Sequence, residues 1–133
     1  MKSDVLKKGI DTLPHRALLQ ATGVTRRDLG KPFIGVANSF NTVIAGHIHL
    51  NELTDGVVRG IRDGGGVPFV WGVPGVCDGI AMYTEMRLSL PSREHIADNI
   101  EIMMLSHSFD GWVGVTNCDK ITPGMMMAAM RLD

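Results

Sequence analysis

Three short apolar runs alternate with segments of helical period, and that alternation constrains the fold more than any other feature of the chain. Phe33-Ile34-Gly35-Val36-Ala37, Pro68-Phe69-Val70-Trp71-Gly72-Val73 and Gly111 to Thr116 have the length and composition of strands. Between the first two, Ile48 to Asp63 repeats Leu50, Leu53, Val57, Val58 and Ile61 at helical spacing, and Gly64-Gly65-Gly66 stops it. Ser92 is placed to cap the next helix, with Glu94 in its first turn and a buried stripe of Ile96, Ile100, Met103 and Met104. A Met-rich helix starts at Pro123. A shorter helix is predicted from Leu13 to Gly23, with Pro14 in its first turn. Val76 to Leu90 shows no period and is expected to be irregular. Strand–helix alternation predicts parallel βαβ units, and so an α/β fold with an open parallel sheet and flanking helices. Both edges of so small a sheet stay open unless more chain covers them.

Each predicted strand runs into a polar turn: Asn38-Ser39, Cys77-Asp78-Gly79, and Asn117-Cys118-Asp119-Lys120. Parallel strands carry these turns to one edge of the sheet, where such folds bind their ligands. Asp78 and Asp119 suit a hard divalent cation, which takes oxygen ligands, whereas a Cys118 thiolate suits softer metals. Each residue also has a plainer reading. A cysteine after a strand is often a small buried hydrophobe. Asp78-Gly79 makes a turn, Asp119 with Thr122-Pro123 makes a helix start, and Lys120 makes a solvated surface. His47 and His49 lack the i, i+4 spacing of a helical zinc site, and no further Cys/His cluster completes a ligand set. Gly64-Gly65-Gly66 follows a helix and lacks the Lys-Ser/Thr of a phosphate loop.

Composition narrows the partners. The chain has 133 residues, 44% of them hydrophobic, and a formal net charge of −1. That is enough for one core, with neither a nucleic-acid footprint nor a polybasic membrane patch. No apolar run is long enough to span a bilayer. Met1 to Gly9 carries charges without an apolar core, so it does not read as a secretory signal. Cys77 and Cys118 are the only cysteines, which fits a reducing, cytoplasmic compartment rather than a disulfide framework. The final helix has no Gly or Asn cap, which suits a fraying terminus or a chain cut short.

Taken together, Cys118-Asp119-Lys120, Pro123-Gly124 and Ala128 resemble the signature of the dihydroxy-acid and 6-phosphogluconate dehydratases. Four further blocks agree in the same order: Pro14-His15-Arg16-Ala17-Leu18, Gly46-His47-Ile48-His49-Leu50, Cys77-Asp78-Gly79-Ile80-Ala81-Met82 and Ser89-Leu90-Pro91-Ser92-Arg93-Glu94. The form Asn117 to Met125 is most similar to the dihydroxy-acid members, and the sugar-acid members come next. Members of that family are several times longer. The resemblance therefore implies that residues 1–133 are part of a larger N-terminal domain, with the catalytic base and further ligands outside it.

The resemblance also implies roles. Cys118 would ligate an iron–sulfur cluster, while Asp78, Asp119 and a carbamylated Lys120 would ligate Mg2+. The substrate would be a small 2,3-dihydroxy acid, dehydrated to a 2-keto acid in valine and isoleucine synthesis. The full-length protein would form a homo-oligomer. A sugar-acid dehydratase of the same family, or a non-catalytic α/β phosphate-binding module, is the alternative. Two departures stand out. Some members carry a cluster cysteine where this chain has Gly46, and the Tyr83-Thr84-Glu85-Met86 loop is one residue shorter than usual.

Overall fold

The computed structural model describes residues 1–133. Three parallel strands form one sheet in the order β2-β1-β3: β1 is Phe33–Asn38, β2 Val67–Gly72 and β3 Gly111–Val115. The register pairs Val36 with Val70 on one side and with Val113 on the other. Helices α1 (Asp4–Lys7) and α2 (Leu13–Ala21) precede the sheet, and α3 (Leu50–Asp63) joins β1 to β2. The short α4 (Asp78–Ala81) and then α5 (Ser92–Ser106) join β2 to β3, and α6 (Ile121–Leu132) closes the chain.

Central β1 is covered on both faces, which is why it reads as an unbroken apolar run. On one face Phe33 and Ala37 meet Ile96, Ile100 and Met104 of α5 and Ile121, Met125 and Ala128 of α6. On the other, Val36 and Val115 pack with Leu50, Val57 and Ile61 of α3. The chain reverses direction across the sheet between its two crossovers, moving from β1 out to β2 and then back past β1 to β3. Right-handed crossovers require that reversal to place their helices on opposite faces, as α3 and α5 are here. The strand order switches beside β1, which opens a crevice at the carboxyl ends.

Most predicted elements form within a residue or two of their expected ends. Pro14 stands in the first turn of α2, and Gly23 follows the helix with φ +97°. Gly64 to Gly66 end α3: Gly65 has φ +84°, and the Gly66 N–H donates to the Ile61 carbonyl at 2.8 Å. Three details differ. The residue before α5 is Pro91, already in helical conformation, so Ser92 lies inside the helix and its hydroxyl donates back to the Ser89 carbonyl at 2.6 Å. Leu53 of α3 is exposed, while Thr54 is buried beneath the helix. The segment expected to be irregular contains α4 and a 3-10 turn at Met86–Leu88.

A clasp ties the N-terminus to the far end of the sheet. Asp110, just before β3, accepts from the Ser3 hydroxyl, the Ser3 N–H at 3.0 Å and the Phe33 N–H at 2.8 Å. Lys7 is buried over the Phe33 ring and donates to Ser3 Oγ and the Lys31 carbonyl. A concavity of about 900 Å3 opens between α2 and the edge of β2, lined by Leu18, Leu19, Val24, Phe69 and Phe109.

Candidate functional site

The three turns at the carboxyl ends are cross-braced. Ser39, after β1, is fully buried, and its N–H and hydroxyl both donate to the Val115 carbonyl of β3, at 3.1 and 3.0 Å. The Ser39 carbonyl bonds His47 Nδ1 at 2.7 Å. A carbonyl only accepts, so Nδ1 carries the proton. His47 is fully buried and its Nε2 has no protein partner. His49 is exposed, so the two histidines do not converge. Asn41 Oδ1 accepts from the N–H groups of Val43 and Ile44, folding the turn on itself.

After β3, Asn117 does two jobs. Its Oδ1 accepts from the Cys118 N–H at 2.9 Å, and its Nδ2 donates to the Gly46 carbonyl at 3.1 Å. A Cβ added at Gly46 would lie 3.1 Å from Asn117 Nδ2, so position 46 abuts the Cys118 turn. Cys118 itself sits in the left-handed region, φ +72°, which costs a non-glycine residue on the order of 1 kcal/mol or more. The chain accepts that strain where a turn must present a side chain sharply before α6 begins.

Lys120 joins two of these turns. Its Nζ donates to Asp78 Oδ2 at 2.9 Å and to Asp119 Oδ2 at 3.1 Å. The other oxygen of Asp78 accepts from the Ser89 hydroxyl, and Ser89 is buried. The Ser89 hydrogen bond and then Lys120 hold the Asp78 carboxyl below its ordinary range. Asp78, followed by Asp119, holds the Lys120 ammonium above its ordinary value. The Cys118 thiol is pushed up, first by burial and then by its neighbours Cys77, Asp119 and Asp78. Both cysteines are half-buried, free, and packed against the main core.

Asp78, Asp119, Lys120 and Cys118 therefore meet at one edge, as their placement after successive strands predicts. Ser89 joins them without any local signal, reaching Asp78 across an aperiodic segment, whereas Cys77 lies in the polar turn already expected at this edge.

The donor set can be tested against the two groups the family resemblance implies. No three His, Cys, Asp or Glu side chains converge on one point, so the carboxylates of Asp78 and Asp119 share only the Lys120 nitrogen. As an ammonium, that nitrogen fills the place of a cation. As a carbamate it adds a third oxygen site, and the set then suits Mg2+. A half-buried free thiol, as at Cys118, suits iron–sulfur ligation.

Fold and site define an open parallel α/β domain whose reactive side chains gather at the carboxyl ends of its strands. Residues 31–133 match the model of the dihydroxy-acid/6-phosphogluconate dehydratase N-terminal domain. The dihydroxy-acid dehydratase of Thermodesulfovibrio yellowstonii is 59% identical over 100% of this chain and 24% of its own length. Those of Methanoregula boonei and Archaeoglobus fulgidus are both 58% identical, over 98% and 100% of the chain, and again over 24% of their own lengths. The chain belongs to the dihydroxy-acid/6-phosphogluconate dehydratase family and corresponds to the N-terminal part of its members. It spans about a quarter of the length of the curated relatives it matches.

Proposed function

We propose that this chain is the metal-site portion of a dihydroxy-acid dehydratase, a hydro-lyase that converts 2,3-dihydroxy-3-methyl carboxylates to 2-keto acids in valine and isoleucine synthesis. The observation that carries the reading is Lys120 Nζ held between Asp78 and Asp119. The relatives' names favour this substrate class over sugar acids. A phosphate-binding module is disfavoured, because the triple glycine caps α3 and does not follow a strand.

In this reading Asp78, Asp119 and the carbamate of Lys120 hold Mg2+, and Cys118 holds an iron–sulfur cluster. The bound groups supply charge stabilisation at the carboxylate end of the substrate and Lewis acidity toward its 3-hydroxyl. The chain's own residues prepare the site. Ser89 fixes the rotamer of Asp78 by donating to the oxygen that Lys120 leaves free. Lys120 must shed a proton before its neutral amine adds to CO2, giving a carbamate and one released proton. Asp78 and Asp119 oppose that loss while the nitrogen is their only counter-ion. A cation between them removes the opposition. Burial of Cys118 keeps its thiol protonated until iron arrives.

No helix is long and apolar enough to cross a membrane. We place the enzyme in the cytoplasm, where its two thiols stay reduced, and read the full-length form as a homo-oligomer.

The test is carbon-13 NMR with labelled bicarbonate and Mg2+. A carbamate resonance is expected in the wild type and should vanish in Lys120→Arg. Its absence from the wild type at saturating Mg2+ would sink the metal assignment.

A further inference from the structure

A closed ring of hydrogen bonds stands behind the turn that carries Asp119 and Lys120. Ser39 donates to the Val115 carbonyl through both its N–H and its hydroxyl, and its own carbonyl accepts from His47 Nδ1 at 2.7 Å. Gly46, the neighbour of His47, accepts from Asn117 Nδ2 at 3.1 Å, and Asn117 lies two residues beyond Val115. The ring also has an outlet, because Asn117 Oδ1 accepts from the Cys118 N–H at 2.9 Å. Resting on the Mg2+ reading above, we propose that Asn117 is a positioning residue, which holds Cys118 in its left-handed conformation and so aims Asp119 and Lys120 at Asp78.

Four observations support this role. Ser39 and His47 are fully buried, so the Gly46 carbonyl that Asn117 grips stands on a fixed anchor. Cys118 has φ +72°, a conformation that surrounding structure must hold in place. The first turn of α6 holds its carbonyl, which accepts from the Thr122 N–H, and Asn117 holds its N–H. The Asp119 side chain is 77% exposed, so packing does not aim its carboxylate and the backbone of the turn must.

The amide is suited to this work. It carries a donor and an acceptor on one short stem, so it bonds the first turn and the third at once. Lys120 then joins the third turn to the second through Asp78 at 2.9 Å. Asn117 itself is exposed, so water competes for both of its hydrogen bonds and they add little to stability. What they fix is direction. A residue that only stabilised the fold would act on unfolding, whereas Asn117 acts on the geometry of the carboxylates and the lysine.

The experiment is a double-mutant cycle on wild type, Asn117→Ala, Gly46→Ala and the double variant. Mg2+ affinity is read by calorimetry in bicarbonate buffer, and stability by the urea midpoint. The metal-free chain is read by the intraresidue N–H to Hα cross-peak of Cys118, which is strong only at positive φ. Asn117→Ala is expected to weaken Mg2+ binding about 10-fold and to shrink the cross-peak, while the urea midpoint hardly moves. In Gly46→Ala the new Cβ would stand 3.1 Å from Asn117 Nδ2 and displace the amide, so Mg2+ binding should weaken in the same direction. Added to Asn117→Ala, the Gly46 change should cost nothing further, because both act through one contact. Wild-type Mg2+ affinity in Asn117→Ala, or losses that simply add in the double variant, would overturn the role of Asn117 and leave the Mg2+ reading standing. A urea midpoint that falls in step with affinity would overturn it too, by showing a brace of the fold alone. A wild type that binds no Mg2+ sinks the Mg2+ reading, and this role with it.

Discussion

Lys120 has two states with opposite demands. As an ammonium it is the counter-ion of Asp78 and Asp119, and its raised pKa keeps it so. The stability this charge contributes is fully present below the ordinary lysine value of 10.5 and is lost as pH rises through the higher folded value. Carbamylation needs the neutral amine. In metal-free protein the carbamate resonance should therefore grow only as pH climbs toward that value, and Mg2+ should move its onset to lower pH. An onset indifferent to Mg2+ would contradict the shared-nitrogen reading. Ser89→Ala removes the hydroxyl that orients Asp78, so Mg2+ affinity measured by calorimetry should fall about 10-fold or more, with little change in fold. Asp110 gives a second pH effect. Burial raises its carboxyl, but hydrogen bonds from Ser3 and Phe33 and the charge of Lys7 outweigh burial, leaving it below 3.8. Its contribution is present above that value and lost as pH falls through the depressed range. Asp110→Asn should cost about 2 kcal/mol at neutral pH by urea denaturation and flatten the acid side of the stability profile. The Cys118-Asp119-Lys120 run was legible in sequence, and its position after a strand was enough to predict its meeting with Asp78. The link from Ser89 was not, since it depends on how an aperiodic segment folds back over the turn.

Among elements, α5 and α6 make the most extensive contact. An added Cβ on Gly124 would stand 3.0 Å from the Arg93 carbonyl and 3.0 Å from Ile96 Cβ, so a side chain there would push the helices apart by a few tenths of an ångström. Gly124→Ala should destabilise the fold by about 1–3 kcal/mol despite alanine's better helix propensity, with a matching fall in midpoint on chemical denaturation. A stabilised variant would show that the helices can part freely. Since α6 starts at the Lys120 turn, the same change should loosen the Lys120–Asp78 bridge. Strands and long helices were readable because burial imposes their periods on the sequence. Finer points were set by tertiary context: the N-cap position of α5 fell to Pro91, whose fixed φ already suits a helix, so Ser92 does not cap it, and α3 turned Thr54 rather than Leu53 toward the sheet.

At the scale of the molecule, the sheet has two unpaired edges. Val70 on β2 is 50% exposed and Val113 on β3 is 36% exposed. Exposed apolar edge strands recruit further strands. The chain alone should therefore self-associate as concentration rises in sedimentation experiments, and Val70→Lys should reduce this. In the proposed reading its sites are also partial: one thiol, two carboxylates and one lysine come from this chain, while the matched relatives are about four times as long. Anaerobically reconstituted chain should form no keto acid from a 2,3-dihydroxy-3-methyl carboxylate, and clear turnover would show that these residues suffice.

The clasp between Ser3 and Asp110 bears on the order of synthesis. Its partners are 107 positions apart, so Ser3 and Lys7 leave the ribosome long before Asp110 exists. β1 pairs with β2 early, but its other edge and one whole face wait for β3, α5 and α6. The N-terminus can lock down only when Asp110 emerges at the start of β3, and its closure then marks, during translation, that this strand has arrived.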